Sequence, residues 1–339
     1  MDVFSKGKIG SMELANRIVM PPMCMYIAGD DGKVTDFHLA HYGARALGGV
    51  GLIIVEATGV SPEGRISAKD LGLWSDEQVA GMKRLVDHCH ALGSKVAVQL
   101  GHAGRKCEVV GIEHLAPSAI DFNPAEYPLA REMTQADIDK VIEDFTAAAG
   151  RAAAAGFDGI EIHAAHGYLI HEFLSPLSNE RTDAYNGSTE ARSKLLGEIL
   201  AGVKSVWPRE RPIWMRISAT DHSAGGLDLD ETVRIVDLVK DELDAVHVST
   251  GGLITVPIHL YHGYQVKYAE TIRASSGLPV IAVGLIDSFE LVQSILEDER
   301  ADFVALGRAL LRNPQWVHAA AAKRKKLEFI PWSYHRGWK

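Results

Sequence analysis

The sequence predicts an α/β chain closed into a (β/α)8 barrel, a TIM barrel with an N-terminal hairpin and a C-terminal extension. Three observations carry that expectation. Eight short β-branched runs, apolar throughout, alternate with longer segments of helical period, the pattern of parallel strands buried on both faces. The chain has 339 residues, a length such barrels fill as one domain. No G-x-G-x-x-G turn follows the first run, where an open doubly wound sheet binding a dinucleotide would carry one. No Pro/Gly/Ser-rich linker divides the chain, so residues 1–339 read as a single domain.

Taken in order, residues 3–14 suit a short hairpin that closes the barrel floor. The eight strands follow at 17–20, 52–56, 95–100, 159–163, 213–217, 245–249, 280–283 and 303–306. Between the second and third, Ser75 and Gln78 form a capping-box pair. Behind it, Val79, Met82, Val86 and Cys89 keep helical spacing. Thr134 opens the next helix, with Ile138, Val141, Ile142 and Phe145 on one face. Leu195, Leu196, Ile199, Leu200 and Val203 stripe a third helix, and Val233, Val236 and Leu243 mark a fourth. Residues 107–131, with three prolines, and residues 250–264 follow neither period. Long loops in a compact domain tend to be functional.

Bulk composition narrows the function. Apolar residues make up 47% and charged residues 23%, the balance of a globular chain. The net charge of −9 is spread along the sequence, without the basic stripe that a nucleic-acid surface needs. A local basic pocket for a phosphate remains compatible with it. Cys24, Cys89 and Cys107 have neither a disulfide framework nor zinc spacing. The first ten residues lack an apolar run, and no stretch of about 18 apolar residues exists to span a bilayer. A reducing cytoplasm is the expected setting.

In such barrels the chemistry lies where strands end and the following loops begin. The first strand delivers Pro21, Pro22, Met23, Cys24, Met25 and Tyr26; the second, Glu56, Ala57 and Thr58; the third, Gln99, His102, Arg105 and Lys106. The fourth delivers His163-Ala164-Ala165-His166-Gly167-Tyr168, and the fifth Arg216. Ser249 to Gly252 follow the sixth, Gly284 the seventh, and Gly307-Arg308 the eighth. The glycines after the last two strands let backbone N–H groups approach an anion, and Arg308 adds a forked cation. Two ordinary strand–helix turns would look similar.

His163 and His166 admit two chemistries. As metal ligands they would need a carboxylate partner that the motif lacks, and the first strand carries no His-x-His. As neutral imidazoles they can donate to a carbonyl oxygen as charge builds on it, with Tyr168 as proton donor. Gln99 and Arg216 could equally be interior polar groups paired with each other, and Cys24 a buried small residue.

Together these segments resemble the Old Yellow Enzyme family of flavoprotein ene-reductases, and within it the short bacterial branch with a cysteine over the flavin. The resemblance spans essentially the whole chain. It rests on Asn16-Arg17, Pro22 to Tyr26, Glu56-Ala57-Thr58, Gln99 to Lys106, His163 to Leu169, Phe173 to Pro176, Asn179 to Asp183, Tyr185, Gly187 and Gly307-Arg308. The family implies non-covalent FMN lined by Pro21, Pro22, Met23 and Cys24. Ala57 and Gln99 would meet the ring edge, and His163 would also touch the cofactor. Arg216 would sit near the flavin N1, where a cation favours the reduced ring. Gly284, Gly307 and Arg308 would hold the phosphate. Substrate would meet Tyr26, His163, Ala164, Ala165 and His166, with Tyr168 giving a proton and Cys24 tuning the flavin.

The implied cycle is ping-pong, with NADPH or NADH as hydride donor and an α,β-unsaturated aldehyde, ketone, imide or nitro compound as acceptor. Pro21 departs from the small hydroxyl residue common beside the flavin, and Gly101 from a frequent alanine. The aromatic–cationic tail, Pro331 to Tyr334 and Arg336 to Trp338, matches the branch too. Exposed aromatics suit an interface. The resemblance carries Arg336 into a neighbouring subunit's site, in a dimer-based oligomer or tetramer. A metal-dependent hydrolase using the two histidines, and a non-catalytic flavin or phosphate binder, are the competing readings.

Overall fold

The computed structural model describes residues 1–338. A hairpin of β1 (Gly7–Ile9) and β2 (Met12–Leu14) precedes the barrel. The barrel strands are β3 (Ile18–Met20), β4 (Leu52–Gly59), β6 (Lys95–Gly101), β9 (Gly159–Ala164), β10 (Ile213–Ser218), β11 (Ala245–Ser249), β12 (Val280–Ala282) and β13 (Phe303–Ala305). Every neighbour pair is parallel, and β3 pairs with both β13 and β4, which closes the circle. β5 (Leu71–Gly72) pairs in parallel beside the last two residues of β4, while β7 (Leu115–Ala116) and β8 (Arg131–Glu132) pair with each other inside the long third loop. The eight expected strands are all present, within a few residues of their expected ends.

The differences at strand ends have local causes. The register between β4 and β6 shifts between Val55 and Thr58, so β4 continues to Gly59 past a bulge that contains Glu56 and Ala57. Bulges re-aim side chains beside active sites. At the seventh strand, Gly284 adopts φ +129° and the chain leaves the sheet after Ala282.

The helices start where capping chemistry directs. Ser75 N donates to Gln78 Oε1 at 3.0 Å, closing the turn that leads into the helix Val79–Ala91. Thr134 N donates to Asp137 Oδ2 at 2.7 Å, and Asp137 N returns to Thr134 Oγ1 at 3.3 Å, opening the helix Gln135–Ala155. Among the described residues, no helix is long and apolar enough to cross a membrane.

Period-two alternation sorts each strand between two cores. Ile160, Ile162 and Ala164 of β9 face outward into the shell between barrel and helices. Inside, the hairpin residues Ile9, Met12 and Leu14 pack against Leu52, Ile54, Ala97, Trp214, Ile281 and Phe303. The hairpin therefore plugs the lower end of the barrel with apolar side chains. The other end is left to polar ones.

Candidate active site at the upper barrel mouth

A cleft of about 610 Å³ opens where the strands end. Pro21, Pro22 and Met23 form one wall, Arg216 and His166 contribute polar groups, and Gly284, Gly307 and Arg308 line the far end. The last two loops are shaped for close approach. A Cβ on Gly284 would stand 2.8 Å from the Gln265 side-chain amide, and its φ already excludes most side chains. Gly307 begins the short helix Arg308–Arg312, whose first turn faces the cleft.

Seven of the expected cofactor residues thus share one cavity. Ala57, His163 and Tyr168 line a narrow crevice beside it, and Cys24 packs with Ala57 and Tyr168. Gln99 lies deeper, fully buried, and its partner is not Arg216: Gln99 Nε2 donates to Glu161 Oε1 at 2.8 Å. The expected Gln99–Arg216 alternative is corrected by this carboxylate, which stands opposite Gln99 in the β6–β9 register. Ala164 and Ala165 are fully buried, and Ala164 points into the outer core, so neither side chain opens on the cleft. Tyr26 is half-exposed with φ +54°. Arg336 lies in the C-terminal 3-10 segment Trp332–Trp338, exposed and outside the cleft of its own chain.

His163, His166 and Tyr168 form one cluster. The His163 ring stands edge-on to His166 at 5.2 Å and to Tyr168 at 4.9 Å between centroids. Ala165 N donates to His163 Nδ1 at 3.3 Å, which leaves the proton of a neutral ring on Nε2. His166 Nε2 pairs with Ser249 Oγ at 2.7 Å. Burial, then the charge of Arg216, drives both imidazole pKa values well below their ordinary range. Both rings are neutral at pH 7. Arg216 and Lys106 are the nearest charges, and cations around two histidines oppose a divalent metal.

The loop holding these residues is fixed from three sides. His166 (φ +59°) and Gly167 (φ +73°) are both left-handed, and a Cβ on Gly167 would stand 2.3 Å from Gly252 O. Ser218 Oγ accepts from His166 N at 3.0 Å and donates to Gly251 O at 2.8 Å. Gly167 N donates to His171 Nδ1 at 2.9 Å, and His171 Nε2 meets Asp221 Oδ1 at 2.9 Å. Lys106 Nζ donates to His166 O at 2.9 Å and Gly252 O at 3.1 Å, with its ammonium 5.0 Å from the Tyr168 ring centroid. Burial lowers the Lys106 pKa to about 8. Burial raises the phenol pKa of Tyr168 and the thiol pKa of Cys24, in the latter with help from Asp70 and Glu56. Both groups stay protonated near neutrality, and a neutral thiol is a poor nucleophile.

Several residues of the site escaped the sequence reading. Gln265 joins the sixth and seventh loops: it accepts from Thr250 N at 2.7 Å and donates to Val283 O at 3.2 Å. Glu161 and His247 sit inside the barrel with no exposure. A carboxylate within an otherwise apolar strand was the available signal, since such residues are almost never buried unpaired.

The sequence profile of the NADH:flavin oxidoreductase / NADH oxidase family matches residues 2–327. An NADPH dehydrogenase of Clostridium acetobutylicum is 51% identical over 339 residues, covering 100% of both chains. One of Geobacillus thermodenitrificans is 50% identical, covering 99% of this chain and 98% of its own. Among solved structures, the old yellow enzyme homologue from Zymomonas mobilis superposes with a TM-score of 0.85 at 29% identity, over 95% of this chain and 93% of that one. Morphinone reductase does so with a TM-score of 0.79 at 31% identity, over 94% and 88%.

Proposed function

The chain belongs to the NADH:flavin oxidoreductase / NADH oxidase family, and we propose that it is an FMN-dependent NAD(P)H dehydrogenase that reduces activated carbon–carbon double bonds. The observation that carries this reading is Arg216. Its side chain lines the cleft and is nine-tenths buried, and its Nε has no hydrogen-bond partner among the described residues. A buried cation left short of protein partners favours an electron-rich ligand beside it. The glycine-lined far end with Arg308 suits a phosphate, so both ends of the cleft fit FMN.

The cofactor would lie with Pro21, Pro22, Met23 and Cys24 along its ring system, Ala57 and Gln99 at the ring edge, Arg216 by the pyrimidine, and Gly284, Gly307 and Arg308 at the phosphate. When bound, FMN supplies hydride transfer, taken from NADPH or NADH and passed to the β-carbon of an α,β-unsaturated aldehyde, ketone, imide or nitro compound. His163 and His166 each donate an N–H to the substrate oxygen, and their neutrality keeps that oxygen from being protonated outright. Tyr168, held protonated by burial, gives its proton to the α-carbon and recovers one from solvent. Cys24, as a neutral thiol, tunes the cofactor. Tyr26 helps to close the substrate side. Residues 1–339 form one FMN-binding domain in this reading.

The exposed tail, with Trp332 at 84% exposure, supports a homo-oligomer in which Arg336 enters a neighbouring site. Arg336→Ala with unchanged substrate affinity contradicts that part.

Purified protein tests the main reading. It should be yellow, with a band near ~450 nm, lose that colour anaerobically with NADPH, and regain it with an enone, a maleimide or a nitroalkene. A colourless protein activated by zinc contradicts it, as does a yellow protein that neither nicotinamide bleaches.

A further inference from the structure

Below the cleft, a polar layer separates the catalytic mouth from the apolar floor, and Glu161 is its centre. Glu161 Oε1 accepts from Gln99 Nε2 at 2.8 Å. Glu161 Oε2 accepts from Trp214 Nε1 at 2.7 Å and pairs with His247 Nδ1 at 2.7 Å. These partners come from β6, β10 and β11, so one carboxylate ties four consecutive barrel strands together. Glu161 has no exposure, and nothing in the hydride chemistry uses it directly.

A stabilising role alone would be an odd reason for it. A buried charge costs several kcal/mol in desolvation, and a well-packed apolar replacement is often as stable. The surroundings suggest another purpose. Burial raises a carboxyl pKa, yet His247, Arg216 and Trp214 together hold that of Glu161 below its ordinary value. Burial pushes the His247 pKa down against the pull of Glu161, and the 2.7 Å contact of its Nδ1 with Oε2 holds the carboxylate in place. Glu161 is the first charge to act on the buried Arg216 guanidinium. The carboxylate also holds the Gln99 amide nitrogen downward, which fixes the sense of that amide.

We propose that Glu161 is a positioning residue for the cofactor: it orients Gln99 and offsets part of the Arg216 charge, thereby setting the redox potential of the bound flavin. This rests on the FMN reading above. With the countercharge removed, more of the Arg216 field reaches the cleft and favours the more negative, reduced cofactor.

The test compares wild-type protein with Glu161→Gln, both reconstituted with FMN. The variant should bind FMN roughly tenfold more weakly. It should also show a midpoint potential raised by a roughly tenfold shift in the oxidised-to-reduced ratio, about 30 mV for a two-electron couple. Glu161→Asp keeps the charge and should return the potential towards wild type. A purely structural residue would lower thermal stability and leave the potential where it was. If Glu161→Gln does not fold, Trp214→Phe keeps the carboxylate charge but removes one of its donors, so the carboxylate offsets more of the Arg216 charge and the potential should fall. An unchanged potential in the folded variant overturns the inference while leaving the FMN reading intact. A wild-type chain that takes up no FMN overturns both.

Discussion

The two ends of the barrel are built from the same strands and solve opposite problems. At the floor, Ile9, Met12, Leu14, Trp214 and Phe303 interlock without an ionisable group among them. At the mouth, His163, His166, Arg216, Lys106, Cys24 and Tyr168 crowd together, and burial displaces the pKa of each. The floor gains from area removed from water. The mouth spends stability to hold neutral imidazoles and a poorly solvated cation. Trp214 belongs to both layers, its ring in the floor and its N–H on Glu161. Stability and chemistry are thus separated by a few residues along each strand.

Substitutions at the two ends should therefore separate turnover from stability. The largest effect is expected from His166→Ala, which removes one of the two proposed donors to the substrate oxygen. Enone reduction should fall roughly 10²–10³-fold, about 3–4 kcal/mol, with the melting temperature little changed. Equal slowing of flavin reduction and enone reduction would count against a role at that oxygen. Next comes Leu14→Ala at the floor, expected to cost about 3 kcal/mol in chemical denaturation. Its kcat below the melting transition should match wild type; a large loss of turnover would mean that the ends are not separable.

A pH titration of apoprotein stability sharpens the contrast. Burial lowers the pKa of His38 and His102 from 6.5 to about 4. Groups lowered in this way contribute stability that is complete above the unfolded value near 6.5. It is lost as pH falls through the folded value. Glu172 moves the other way, raised by burial to about 8, so its contribution is lost as pH rises from about 4.5 towards 8. As pH falls below about 6.5 the two histidine losses outweigh the opposing Glu172 gain and stability should decline; above about 6.5 the Glu172 loss acts alone and stability should decline again towards pH 8. His102→Asn should flatten the acid limb, whereas Leu14→Ala should shift the whole curve down without changing its shape. An acid limb that His102→Asn leaves untouched would remove that residue from the account.

The smallest effect is expected at Cys24. Cys24→Ala should keep turnover within a few-fold while shifting flavin potential and substrate preference. Complete loss of reduction in a flavin-bound variant contradicts its assignment as a tuning residue.

The contrast also explains what could be read in advance. The strands were legible because burial on both faces makes them continuously apolar, and the hairpin as the short segment 3–14 ahead of the first strand. The mouth was legible where side-chain types are unusual for strand ends, as in His163 to Tyr168 and Gly307-Arg308. The layer between them was not. Glu161 meets its partners 53, 62 and 86 residues away in sequence, so only closure of the barrel brings them together. Lys106 was visible as a cation, but its acceptors are two backbone carbonyls, which every residue possesses. Gln265 likewise joins loops through backbone groups. Ala164 lay within the histidine motif, yet strand alternation turns its methyl outward into the shell.

In the proposed cycle the mouth divides its labour, with hydride transfer on the cofactor and proton delivery on Tyr168. Stopped-flow measurement of both half-reactions in Tyr168→Phe tests it most directly. Flavin reduction by NADPH should proceed at the wild-type rate, while reoxidation by an enone should slow roughly 10²–10⁴-fold. Reoxidation at the wild-type rate, or equal slowing of both half-reactions, would contradict the account.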